Sequence, residues 1–102
     1  MTQSIYSRDT VRDILIAACE GGIGYWSQIT KLSYSRITVT LKEWNEDTNT
    51  WNGAEYSLTY RDILRGFKRA IEYGYIKDVS DMDSTDADVV IQLAIFNDVV
   101  YG

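Results

Sequence analysis

The sequence predicts a small single domain of the α+β class, an antiparallel β-hairpin packed on about three helices in the order α-β-β-α-α. Three observations carry this expectation. Apolar residues recur at helical spacing near the start, in the middle and near the end of the chain. Between the first two of these stretches, Ser33–Trp44 alternates with a period of two. The segment that follows, Asn45–Gly53 (NEDTNTWNG), is turn chemistry before a second short run of strand-forming residues. At 102 residues, with 45% apolar content, the chain suits one core, and the absence of proline leaves no rigid linker to divide it.

The first helix starts at Ser7, an N-cap residue followed by Asp9 in the first turn, with Tyr6 and Val11 spaced as a hydrophobic staple. Val11, Ile14, Leu15 and Ala18 form its inner face, while Arg8, Arg12 and Asp13 look outward. Gly21-Gly22 is expected to stop it, because a left-handed residue after a helix is easy only for glycine. A short extra turn or helix then leads through GGIGYW (Gly21 to Trp26). That segment reads in two ways: a tight turn with Tyr25 and Trp26 on the core, or a binding surface presenting the two aromatics. It is no dinucleotide fingerprint, since no strand precedes it and the glycine spacing differs.

In the hairpin, Ile37, Val39 and Leu41 point inward and Arg36, Thr38, Thr40 and Lys42 outward; Tyr56 and Leu58 face in on the returning strand, Ala54–Leu58. Two strands alone are marginal, so the hairpin must lie on helices. Thr59 caps the second long helix with Asp62 three residues on. Its core face is Ile63, Leu64, Phe67, Ala70 and Ile71, and Gly74 ends it. Gly66 costs about 1 kcal/mol in a helix interior, which points to close packing or close approach of a ligand there. The outer side of this helix carries Arg61, Arg65, Lys68 and Arg69. It is either a solvated face or a surface for phosphate or an acidic partner.

The last element, Thr85–Tyr101, has the densest apolar content of the chain. Val89, Leu93, Phe96 and Val100 form a stripe that Val90, Ile91, Ala94 and Ile95 widen almost to the full circumference. Such a helix is buried between other elements. Thr85 is expected to cap it, with Asp88 completing the box and Asp86 and Asp88 favoured by the positive end of the backbone dipole.

Charge is unevenly placed. Residues 1–77 hold all ten Lys/Arg and nine of the fifteen Asp/Glu; residues 78–102 hold the other six acids, all aspartate, and no base. Asp78–Asp88 (DVSDMDSTDAD) reads as a polar cap for the last helix, or as an acidic surface for a basic partner. It fails the EF-hand pattern, lacking the turn glycine and the closing glutamate, though a weak Mg²⁺ or Ca²⁺ site at Asp81 and Asp83 remains an alternative.

Several chemistries are excluded. Without histidine there is no Ser-His or Cys-His nucleophile, and one cysteine makes neither a Cys₄ zinc site nor a dithiol. No phosphate-cradling loop appears. Ile16–Cys19 imitates a lipoprotein cleavage box, but Asp9 and Asp13 spoil any signal before it, so Cys19 reads as a small buried hydrophobe in a reducing compartment. The longest apolar run is broken by Gln92 and is too short to span a bilayer. No enzyme, cofactor or resident metal is expected.

GGIGYW together with the ending Ala87, Asp88, Val90, Gln92, Ala94, Phe96, Val100, Tyr101 and Gly102 resembles short proteins encoded by bacteriophages and prophages. The resemblance covers the two ends, about a third of the chain; Asn97 stands where a glycine is expected. It implies a setting, the cytoplasm of a bacterial host, and no reaction. That the chain stops at Tyr-Gly leads to the expectation that this ending is a fitted part of the structure. The leading expectation is therefore a protein that binds and antagonises a host protein, for instance a defence nuclease or CRISPR effector. Asp78, Asp81, Asp83, Asp86 and Asp88 would then face a basic nucleic-acid-binding surface. The alternative is a nucleotide sponge, with Gly22, Tyr25 and Trp26 at the base and Arg61, Arg65 and Lys68 on the phosphates. Direct nucleic-acid binding is disfavoured by the net charge of −5. A structural virion part is a further alternative, and an exposed GGIGYW or hairpin edge would support a homodimer.

Overall fold

A computed structural model describes residues 5–102. The element order is α1 (Arg8–Ala17), a π turn (Ala18–Gly22), β1 (Ser27–Ser33), β2 (Thr38–Glu43), β3 (Glu55–Leu58), α2 (Tyr60–Glu72), a 3₁₀ turn (Val79–Asp81) and α3 (Ser84–Phe96). The class is α+β, with the expected hairpin, β2–β3, packed on helices. A further strand, β1, joins it to make a three-stranded antiparallel sheet in the order β1-β2-β3.

The Ser7 hydroxyl accepts from the Thr10 amide at 3.2 Å and caps α1, whose Val11, Ile14 and Leu15 are buried. Its end differs from the expected one. Gly21 and Gly22 do not adopt a left-handed backbone; the chain widens into a π turn closed by the Ile23 amide on the Ala18 carbonyl at 3.0 Å. Gly22 serves close approach instead, because a Cβ there would lie 2.6 Å from the Ser84 carbonyl oxygen. Gly74, by contrast, does end α2 with φ of 83°.

The strand expected over Ser33–Trp44 is shorter, Thr38–Glu43, and Tyr34–Ile37 is a turn. Ile37 sits in that turn with φ of 56° yet is fully buried. A left-handed β-branched residue carries about 1–2 kcal/mol of strain, less than its burial returns. Along the sheet, Leu32, Val39 and Leu58 pair on one face, as do Ile29, Leu41 and Tyr56. Thr30 forms a bulge between Ile29 and Lys31.

Asp62 reaches back to the Thr59 amide at 2.8 Å and starts α2. At Gly66 the helix crosses α3 so closely that a Cβ would overlap the Val90 carbonyl and lie 2.9 Å from the Ala94 Cβ. Helix α3 is capped by Asp83 and not by Thr85. Asp83 accepts from the Asp86 amide at 3.0 Å, and Asp86 returns the bond to the Asp83 amide at 3.2 Å. This Asp-x-x-Asp pair wins because both carboxylates satisfy otherwise unpaired amides at the positive helix end. Ala87 to Ala94 are buried save for the half-buried Val89, so α3 is enclosed as expected. Leu93 is fully buried, and Phe96 packs against Trp26 and Tyr56. The helix stops sooner than expected: Asn97 takes the left-handed position with φ of 55°, and Val100 leaves the stripe at 58% exposure. Among the described residues no helix is long and apolar enough to cross a membrane.

Candidate functional site

The five aspartates expected on one partner surface divide into two groups. Asp78 caps the 3₁₀ turn, accepting from the Ser80 amide at 3.0 Å and the Ser80 hydroxyl at 2.6 Å, which hold its carboxyl below the usual range. Asp78, Asp81 and Asp83 are exposed and Asp86 is half-buried. Asp88 is only 6% exposed and cannot touch a partner. One of its oxygens accepts from the Trp26 indole at 2.8 Å and the Gln92 carboxamide at 2.9 Å; the other accepts from the Tyr25 hydroxyl at 2.5 Å. Burial, then the carboxylate, push the Tyr25 phenol up to about 12. With the helix starting at Asp83, Asp88 lies two residues further in than expected, beyond the first turn, and it is buried because it is on the face that meets Trp26.

The ligand-binding alternative loses its stacking platform. Trp26 is 1% exposed, lies parallel to Tyr101 with ring centres 5.0 Å apart and also meets Phe96. GGIGYW is thus a core turn at Ile23 and Trp26, with Gly22 pressed on α3 and Gly21, Gly24 and Tyr25 at the surface. Arg65 donates to the Ala94 carbonyl at 3.2 Å and pairs with Asp62 at 3.2 Å; Arg69 donates to the Leu93 carbonyl at 3.1 Å. Both therefore satisfy the last turn of α3, where cations are favoured. Arg61 and Lys68 remain exposed, with Lys68 over the Tyr6 ring at 5.2 Å. The two halves of the expected site are not brought together. Gly22 and Trp26 meet α3 at Asp88, whereas α2 meets it at Val90 and Ala94, roughly 200° around the helix.

Two arrangements go beyond the sequence reading, the first of them at the Tyr-Gly ending expected to be a fitted part of the structure. In the first, the buried Gln92 accepts from the Val100 and Tyr101 amides, both at 2.8 Å, and donates to the Tyr101 carbonyl at 3.0 Å. The Tyr101 hydroxyl donates to Glu43, as does the Tyr56 hydroxyl at 2.6 Å. Burial and then the Glu43 bond push the Tyr56 phenol up to about 12; at Tyr101 the Glu43 bond leads and burial follows, again to about 12. The clue was Gln92 itself, the one polar residue inside an apolar run. The second arrangement is a groove of about 650 Å³ between α1 and residues 79–83. Ile14, Ala17, Val79, Met82 and Ala87 supply its apolar lining; Asp9, Asp13 and Asp83 supply its acidic residues. The only signal in the sequence was the run of Thr10, Ile14 and Ala17 on one side of α1, beside Asp9 and Asp13.

Cys19 is half-buried on the π turn, and burial pushes its thiol up to about 11, away from nucleophilic chemistry at neutral pH. Among the described residues, no three His, Cys, Asp or Glu side chains are grouped to hold a metal ion, and the Asp83 carboxylate is spent on the start of α3. Compared with family models, curated proteins and solved structures, the chain matches none.

Proposed function

We propose that this is a small non-enzymatic accessory protein that binds a host protein through its acidic side and antagonises it. The target class is a basic nucleic-acid-binding protein, such as a defence nuclease or CRISPR effector, met in the bacterial cytoplasm. One observation carries the reading: Asp13, Asp78, Asp81 and Asp83 are exposed, and among the described residues none forms an ion pair with a lysine or arginine. An acidic surface left unneutralised by its own chain raises association rates with a basic surface and rejects acidic ones. The phage-like motifs at the two ends support the setting.

The test is capture from a bacterial lysate at low and at high salt, followed by competition with DNA. The reading expects a basic partner whose binding falls steeply with salt, is weakened by Asp78→Asn with Asp81→Asn, and excludes DNA from that partner. Capture that ignores salt and both substitutions refutes it.

A further inference from the structure

The groove between α1 and residues 79–83 is apolar along its floor and acidic at its margin, and among the described residues no lysine or arginine lines it. One wall is a continuous side of α1, where Thr10, Ile14 and Ala17 follow one another at helical spacing with Asp9 and Asp13 beside them. From Ser7 to Ala17 this wall runs about 15 Å at 1.5 Å per residue. That length suits three turns of a chain segment better than a compact metabolite. The opposite wall is built by Val79, Ser80, Met82 and Asp83, with Ala87 of α3 below. An occupant would therefore be recognised through side chains, as a helix in a groove is, and not by pairing with a strand edge. Asp9 already pairs with Arg12 at 2.9 Å, whereas Asp13 and Asp83 form no ion pair among the described residues.

Resting on the protein-binding reading above, we propose that this groove seats an amphipathic basic helix of the partner. The partner's apolar stripe lies on the half-buried Ala17, Val79 and Met82, above the buried Ile14 and Ala87, and flanking Lys or Arg residues reach Asp13 and Asp83. The apolar floor supplies affinity, and the acidic margin selects helices whose stripe is bordered by cations. The exposed Asp78 and Asp81 lie outside the groove and steer the approach without touching the stripe.

The experiment uses the full chain, labelled with ¹⁵N, and three synthetic probes followed by fluorescence anisotropy. The first is a helix-forming peptide with leucines at i, i+3, i+4 and i+7 flanked by arginines. The second is its scrambled isomer of equal charge, and the third is decalysine. The proposal expects the striped peptide to bind at least about tenfold more tightly than the other two. Amide shifts should centre on Ile14, Ala17 and Ala87. Asp13→Lys, an exposed charge reversal, should weaken binding about tenfold or more, and Ala17→Trp should block the floor. Asp78→Asn with Asp81→Asn should do much less. If all three probes bind alike and the Asp78/Asp81 pair matters as much as Asp13, the groove proposal falls while the acidic-surface reading stands. Shifts that map away from α1 also overturn it. If none of the basic probes binds, both fall.

Discussion

Replacing Asp88 separates a buried structural carboxylate from a surface charge. Asp88→Leu keeps much of the side-chain volume but removes the acceptor for three donors: the Trp26 indole, the Gln92 carboxamide and the Tyr25 hydroxyl. Tyr25 is 58% exposed, so its hydroxyl can turn to water. The Trp26 and Gln92 donors are enclosed, and each buried donor left without a partner costs about 1–3 kcal/mol. Two of them give a loss of about 2–6 kcal/mol, reduced by the relief of not burying a charge. For a domain stable by about 5–15 kcal/mol this is a large fraction. Asp88→Asn behaves differently. Its carbonyl oxygen can take over the bonds from Trp26 and Gln92, while its amide faces the Tyr25 hydroxyl, which can rotate to accept. The loss should then stay near 1 kcal/mol. Urea unfolding followed by tryptophan fluorescence measures both. Asp88→Leu within about 0.5 kcal/mol of the parent refutes the reasoning, and so does Asp88→Asn equal to Asp88→Leu, which would make charge and not acceptor geometry decisive. Partner binding by Asp88→Asn should match the parent, because this carboxylate never reaches the surface.

Gly66→Ala should destabilise even though alanine is the better helix former by about 1 kcal/mol, because the added methyl overlaps the Val90 carbonyl and forces α2 and α3 apart at a cost of about 1–3 kcal/mol or more. A neutral or raised midpoint in urea would contradict that crossing. Gln92→Leu, or removal of residues 100–102, should lower the melting temperature by about 5 °C or more and shift Trp26 emission to the red, since Tyr101 no longer covers the indole; unchanged emission would count against the clamp. At high pH the sign follows from the tyrosines. The native phenols of Tyr25, Tyr56 and Tyr101 hold their protons to about 12, while the unfolded chain loses them near 10. Their contribution is complete below pH 10 and declines between pH 10 and 12, so the melting temperature should fall across that window, less steeply in Tyr56→Phe.

The helices were legible because their apolar spacing and caps are local. Val11, Ile14 and Leu15 face inward as read, and so do Ile63, Phe67 and Ala70. The close approach at Gly66 was legible for the same reason, since a glycine inside a good helix pattern needs a neighbour to explain it. Strand β1 was not, and the bulge at Thr30 is the cause. It places Ile29 and Leu32 on one face although they are three residues apart, which breaks the period of two. In the turn before β2 the opposite happened. The alternation of Ile37, Val39 and Leu41 runs on through a residue that is no longer extended, so the inward side was right and the backbone was not. Composition also cannot tell an aspartate that caps a helix, as Asp83 does, from one buried a turn later, as Asp88 is where it meets Trp26 and Gln92. The groove joins residues about seventy positions apart, and no periodicity records that.

Gly22 and Gly66 touch α3 at different heights and from different sides, the first at Ser84 and Asp88, the second at Val90 and Ala94. Together they act as two keys in one shaft. A bulkier residue at either slot would have to push the shaft sideways, and neither sliding nor rotation is open to it without colliding with the other. Ala87 travels with that shaft and floors the groove beside α1. Whatever docks there meets a bed already set in position, and little ordering of the receiving side is left to oppose the encounter.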